Sequence, residues 1–235
     1  MEMDPVKVHT VTGASGVPIS VYETGDPGSP AMVLLHALGE NAADWSTVAA
    51  ALCPDFHVFS LDLRGHGNSG RSGQYTFELM RDDVAAVMDA LDLHDIALVG
   101  HSMGGVVAYL LAQAQPGRIA RLIVEDAPPP YPRDRALPER PEGGLSFDWA
   151  AVPAIAGQIN DPSRRWWAYL PDITVPTLLI GGGASSHIPQ GLLEEVATLI
   201  PDCALVTLNV GHNIHRIAPA EFIQAVLTWL DGWPA

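Results

Sequence analysis

Residues 96–105, Ile-Ala-Leu-Val-Gly-His-Ser-Met-Gly-Gly, carry an apolar run straight into a Gly-x-Ser-x-Gly turn, and a helical pattern follows over Val106–Gln113. A short, continuously apolar run is what a strand buried on both faces of a parallel sheet requires. Strand, sharp turn and helix in that order put a serine, Ser102, at the apex of the turn.

The rest of the chain repeats the rhythm. Two early strands are expected at Val6–Val11 and Ile19–Tyr22, with a turn at 13–16 between them. Ala31–His36 reads as a buried strand, Ala42–Leu52 as a helix, His57–Leu61 as a strand and Asp62–Tyr75 as a long loop. Apolar residues at helical spacing (Phe77, Met80, Val84, Val87, Leu91) mark a helix over Thr76–Leu91, with Thr76 as N-cap. Further strands are expected at Ile96–Val99, Arg121–Glu125, Thr177–Ile180 and Ala204–Leu208. The helices between and after them are Met103–Gln115, Gln190–Leu199 and Glu221–Leu230. Such alternation predicts a single α/β domain, 1–235, with a mostly parallel sheet covered by helices on both faces.

One stretch breaks the pattern. Ala127–Asp172 opens with three consecutive prolines, carries six more, holds Trp149, Trp166 and Trp167, and has little helical signal. A loop of this length in a compact domain is usually functional. It is expected to be a short cap over the C-terminal edge of the sheet.

Composition narrows the partners. The net charge of −15, with Lys7 the sole lysine, disfavours nucleic acid and anionic membranes. Cys53 and Cys203 are far apart in sequence and suggest buried thiols in a reducing compartment. The acidic start Met-Glu-Met-Asp-Pro lacks the regions of a signal peptide, and no apolar run is long enough to span a bilayer. A cytoplasmic protein is expected; the oligomeric state is open.

A serine hydroxyl is a poor nucleophile until a base takes its proton. Gly100 and Gly104 let strand and helix close around Ser102, and the helix N-terminus places the Met103 N–H where an oxyanion would develop. His101 is expected to face away from Ser102, since neighbours at a strand end point in opposite directions. The base expected is His212, in the Gly211-His212 loop after the last strand, at the same sheet edge as Ser102. His215 reads as a capping or surface histidine. His212-x-x-His215 lacks a third ligand at metal-site spacing, so neither metal nor cofactor is expected.

Four segments together resemble the α/β-hydrolase superfamily over nearly the whole chain. They are His36-Ala37-Leu38-Gly39, the stretch Asp62-Leu63-Arg64-Gly65-His66-Gly67-Asn68-Ser69, Gly100-His101-Ser102-Met103-Gly104, and Gly211-His212. The likeness is closest to small, lightly capped esterases. It implies an α/β-hydrolase fold, a Ser–acid–His triad in that chain order, and a second oxyanion donor at the Leu38 N–H. It implies that His36 braces the oxyanion loop, although Ala37 stands where the family usually has glycine. Arg64 to Gly67 read as a tight turn with an arginine for surface hydrogen bonds.

In most of the family the acid follows the strand that here is Thr177–Ile180, but this chain has Gly181-Gly182-Gly183-Ala184-Ser185-Ser186 there. Some members place it one strand earlier, where Glu125-Asp126 stand. Alternation along the strand allows only one of these to face His212. The resemblance favours Asp126, with Glu125 as the alternative.

The expected function is hydrolysis of a small, neutral to moderately hydrophobic ester through an acyl-enzyme, with His36, Trp149, Trp166 and Trp167 near the substrate. A lactonase, thioesterase or carbon–carbon bond hydrolase could use the same triad. A ligand-binding module on the same fold is the alternative of another class.

Overall fold

A computed structural model describes residues 6–233; the acidic start at 1–5 lies outside the described residues. In chain order the strands are β1 (Lys7–Thr12), β2 (Pro18–Thr24), β3 (Ala31–Leu35), β4 (His57–Leu61), β5 (Ile96–His101), β6 (Ile119–Glu125), β7 (Thr177–Gly181) and β8 (Cys203–Thr207). They form one sheet in the order β1-β2-β4-β3-β5-β6-β7-β8. Only β2 runs against the others, pairing antiparallel with β1 and β4. From β4 to β8 every pairing is parallel.

Helices cover both faces, as the alternation requires. On one face α1 (Ser46–Leu52) and α8 (Pro219–Trp229) bury Val48, Leu52, Phe222 and Val226 against Met32, Leu34, Val99 and Ile180. On the other, α2 (Phe77–Ala90), α3 (Met103–Ala114) and α6 (Gln190–Leu199) pack Val84, Val107, Leu111 and Val196 against Leu35, Leu98, Val124 and Leu179. β5 is buried at all six positions, which is why its sequence shows no alternation. Thr76 caps α2 as expected, accepting from the Leu79 N–H at 3.0 Å. The expected helix at Ala42–Leu52 divides into a 3-10 turn, Ala42–Trp45, and α1.

The 127–172 stretch contains more helix than its composition suggests: α4 (Ala151–Asn160) and α5 (Arg165–Ala168). Pro153 lies in the first turn of α4, where the missing N–H removes no intrahelical bond. The stretch is tied down on two sides. Asp148 N–H donates to Gly65 O at 2.6 Å, and its carboxylate accepts from Tyr75 at 2.6 Å. Gln158 accepts from the Phe77 N–H and donates to Glu78, both at 2.8 Å, which joins α4 to the start of α2.

Two expectations about environment are corrected. Arg64 is 1% exposed, and its guanidinium grips Asp83 at 2.5 and 2.6 Å inside the fold instead of bonding at the surface. Asp83 is also buried and accepts from the Ala14 N–H, so the pair staples α2 to the β1–β2 turn. Cys53 and Cys203 are free and half-buried rather than fully enclosed.

Candidate active site

Ser102 sits between β5 and α3 with φ +52° and ψ −112°, a conformation costly for any residue with a side chain. The strain is sustained by packing. A Cβ on Gly104 would lie 2.3 Å from the Leu35 carbonyl oxygen, so only glycine lets α3 approach β3 this closely. The Ser102 hydroxyl does not cap α3. It faces a cleft of about 140 Å³ that Leu38, Met103 and Asp126 also line.

The end of β6 repeats the device. Asp126 has φ +46°, a second left-handed non-glycine residue one strand away from Ser102. Its N–H still bonds the Ile180 carbonyl at 2.8 Å, but its side chain leaves the strand's alternation and turns toward the His212 loop. Asp126 Oδ2 accepts from His212 Nδ1 at 2.8 Å, and Oδ1 accepts from the Gly182 N–H at 2.9 Å and Gln190 Nε2 at 3.0 Å. The Ser186 hydroxyl donates to Oδ2 as well. Burial alone would raise the Asp126 pKa. The four hydrogen bonds, His212 foremost, outweigh it and hold the carboxyl below the ordinary aspartate range. A carboxylate that is ionised makes His212 Nδ1 the donor, which leaves the lone pair on Nε2.

Ser186 and Gln190 were not visible as site residues in the sequence, although they stand in the segment where the acid was first sought. That segment cannot easily hold one at Gly182. A Cβ there would fall 2.3 Å from the Gly211 carbonyl oxygen, because the His212 loop crosses it in contact. The loop that lacks the acid holds the acid of the neighbouring strand.

Glu125 points the other way. It is fully buried and accepts from the His215 N–H at 3.0 Å and from His215 Nδ1 at 2.7 Å. His215 Nε2 bonds Asp44 at 3.1 Å. His215 is therefore not a capping or surface histidine: it is 1% exposed, stacked on Trp45 and clamped between two carboxylates. Burial pulls its pKa down, but Asp44 and Glu125 together prevail and raise it to about 9. His101, cross-strand neighbour of Glu125, lies on this side too, away from Ser102 as expected. Its Nε2 donates to the His212 carbonyl at 2.9 Å, and burial lowers its pKa to about 4. Asp44, His101 and His215 are close enough to share a cation. As an imidazolium, however, His215 donates from both nitrogens and is itself the positive charge between Asp44 and Glu125.

The loop after β3 is braced from below. His36 Nε2 accepts from the Leu63 N–H at 2.9 Å while Nδ1 donates to Ala37 O at 2.7 Å. His66 Nε2 accepts from the Gly39 N–H at 3.1 Å. Both rings must be neutral to accept, and burial pushes His36 down to about 3 and lowers His66. His36 thus braces Ala37–Gly39 and does not line the cleft. The tryptophans also stand outside the cleft wall. Trp166 packs edge-on against Phe77 at 5.3 Å, Trp167 donates to Pro130 O at 3.0 Å, and Trp149 lies beside Phe147. The three tryptophans serve packing, while Phe77, Tyr131, Ile155, Ile159 and Leu192 contribute to the cleft wall.

A family model described as alpha/beta hydrolase fold matches residues 30–147. The chain is 27% identical to the sn-1-specific diacylglycerol lipase ABHD11 of Mus musculus, over 88% of this chain and 82% of that protein. It is also 27% identical to a putative esterase/lipase of Haemophilus influenzae, over 86% and 84% respectively. A crystal structure of a hydrolase from Pseudomonas aeruginosa superposes with a TM-score of 0.83 at 25% identity, covering 95% of this chain and 98% of that one.

Proposed function

The chain belongs to the alpha/beta-hydrolase fold family, and on that premise we propose that it is a serine hydrolase cleaving a small, moderately hydrophobic carboxylic ester through an acyl-enzyme. The observation that carries this reading is the 2.8 Å bond from His212 Nδ1 to Asp126, made at the sheet edge where Ser102 stands on its strained turn. Curated relatives named as a lipase and a putative esterase/lipase support it.

Ser102 Oγ attacks the ester carbonyl carbon as its proton passes to His212 Nε2. The Leu38 and Met103 N–H groups take the oxyanion; the first N–H groups of a helix have no partner within it, which leaves that of Met103 available. Collapse of the tetrahedral intermediate breaks the bond to the alcohol oxygen, which leaves with the proton from His212. A water then gives its proton to His212 and attacks the acyl-enzyme. The acid departs, and Ser102 recovers the proton. Asp126 stays ionised throughout and stabilises the imidazolium formed in each half-reaction. Residues 127–172 act as the cap, placing Pro128–Tyr131 and α4 over the cleft.

A serine-directed fluorophosphonate tests the reading. It should label the native protein at Ser102 and leave Ser102→Ala unlabelled. Labelling that persists undiminished in Ser102→Ala, or none in the native protein, overturns the reading.

A further inference from the structure

The cleft at Ser102 is lined mostly by apolar side chains, and Arg133 enters its wall together with Asp126 and His187. Its Nε is buried and has no hydrogen-bond partner, and among the described residues no carboxylate lies within ion-pair distance of its guanidinium. Among the described residues Asp126 is the only carboxylate lining the cleft, and His212, Ser186, Gln190 and Gly182 already occupy it. A buried guanidinium nitrogen left unpaired is costly, and a bidentate oxyanion is the partner its geometry suits best.

The surroundings favour an anion. The chain carries a net charge of −15, yet His187 lines the cleft with Arg133, and Arg135 is near enough to act on both. Burial lowers the Arg133 pKa, and the positive field of Arg135 adds to it against the opposing pull of Tyr131; burial likewise lowers His187, with His212 and the two arginines adding to it and Asp126 opposing. The arginine is held in place. Its N–H donates to Asn160 O at 3.0 Å, at the end of α4, and its guanidinium lies 5.7 Å over the Tyr131 ring. Sequence reading gave a neutral ester because no basic cluster is visible along the chain. Arg133 and His187 stand far apart in sequence, and only the folded cap brings them together.

We propose that Arg133 is a specificity-determining residue that binds a carboxylate on the acyl part of the substrate, so that the ester cleaved is a half-ester of a short dicarboxylic acid. This rests on the serine-hydrolase reading above. The small cleft fits a short acyl chain, with Ser102 at the ester carbonyl and Arg133 at the far acid.

The test compares monoethyl glutarate with ethyl glutaramate, its neutral isostere, by ethanol release. Native protein should favour the acid ester by about ten- to a hundredfold in kcat/KM, the range of a charge-assisted hydrogen bond. Arg133→Met should bring that ratio to near one, and Arg133→Lys should keep part of it. Calorimetry on Ser102→Ala gives a second readout: free glutarate should bind, and binding should vanish when Arg133→Met is added. A ratio near one in native protein, or a ratio unchanged in Arg133→Met, overturns the anion subsite. If the fluorophosphonate still labels Ser102 in that case, the hydrolase reading stands. No ethanol release from either ester and no labelling overturns the hydrolase reading and the subsite with it.

Discussion

Glu125 and Asp126 are adjacent in the chain and serve different histidines: Asp126 accepts from His212, while Glu125 accepts from His215. Strand alternation sends Glu125 to the α8 face of the sheet, and the left-handed backbone at Asp126 turns the next carboxylate to the cleft. The two roles are separable by measurement. Asp126→Asn should lower kcat by about a thousandfold or more, since an amide at this position favours the wrong imidazole tautomer. Glu125→Gln should act on the fold, costing about 3 kcal/mol as His215 loses a buried carboxylate. Ester hydrolysis and urea unfolding of both variants check this, and an exchange of the two outcomes would exchange the roles.

Ser186 and Gln190 hold Asp126 from the neighbouring loop, so Ser186 should matter without touching substrate. Ser186→Ala should lower kcat by about tenfold, as loss of a charge-assisted bond of ~1.5 kcal/mol implies. KM should hold, and Ser186→Thr should restore most of the rate. An equal fall in kcat for the Ala and Thr variants would point to packing of the loop instead.

How much of this was legible in the chain follows from how local each signal is. β4 and α6 end where their apolar patterns end, and Thr76 caps α2, because turn chemistry and periodicity act over a few residues. That an acid at Glu125-Asp126 would meet His212 was readable too, since both follow strands of one parallel sheet and strand ends share an edge; the choice of Asp126 over Glu125 came only from the family resemblance. The environment of Arg64 was not: a short polar turn does not disclose that α2 brings Asp83 across it. His215 was misread for the same reason, because its partners Asp44 and Glu125 come from two distant segments. Helix α4 was obscured by prolines, although Pro153 falls where a helix tolerates one.

The Arg64–Asp83 pair makes its own prediction. Burial raises the Asp83 pKa even though Arg64 lies beside it, the mark of a carboxylate whose desolvation outweighs the attraction of its partner. Removing one partner strands the other. Arg64→Met should therefore cost about 3–5 kcal/mol. Arg64→Met with Asp83→Leu should recover much of that loss, short by about 1 kcal/mol for the Ala14 N–H left without its acceptor. Urea midpoints of the two single variants and the double variant decide it, and additive losses would contradict it.

Stability should peak near pH 6.5, because buried histidines are shifted in opposite directions. His36 and His101 are held down to about 3 and about 4. Between those values and the unfolded value of about 6.5 the unfolded chain binds the extra protons, so stability falls as pH drops through that window. His215 is raised to about 9. Its contribution is complete below about 6.5 and is lost as pH rises toward 9, with a slope near 1.4 kcal/mol per pH unit for one proton. Unfolding free energies from pH 5 to 9 should trace this peak. His215→Gln should be less stable at pH 6.5 and should lose one proton's worth of the alkaline slope while keeping the acid one. An alkaline slope unchanged in that variant would mean that His215 is not the imidazolium between Glu125 and Asp44.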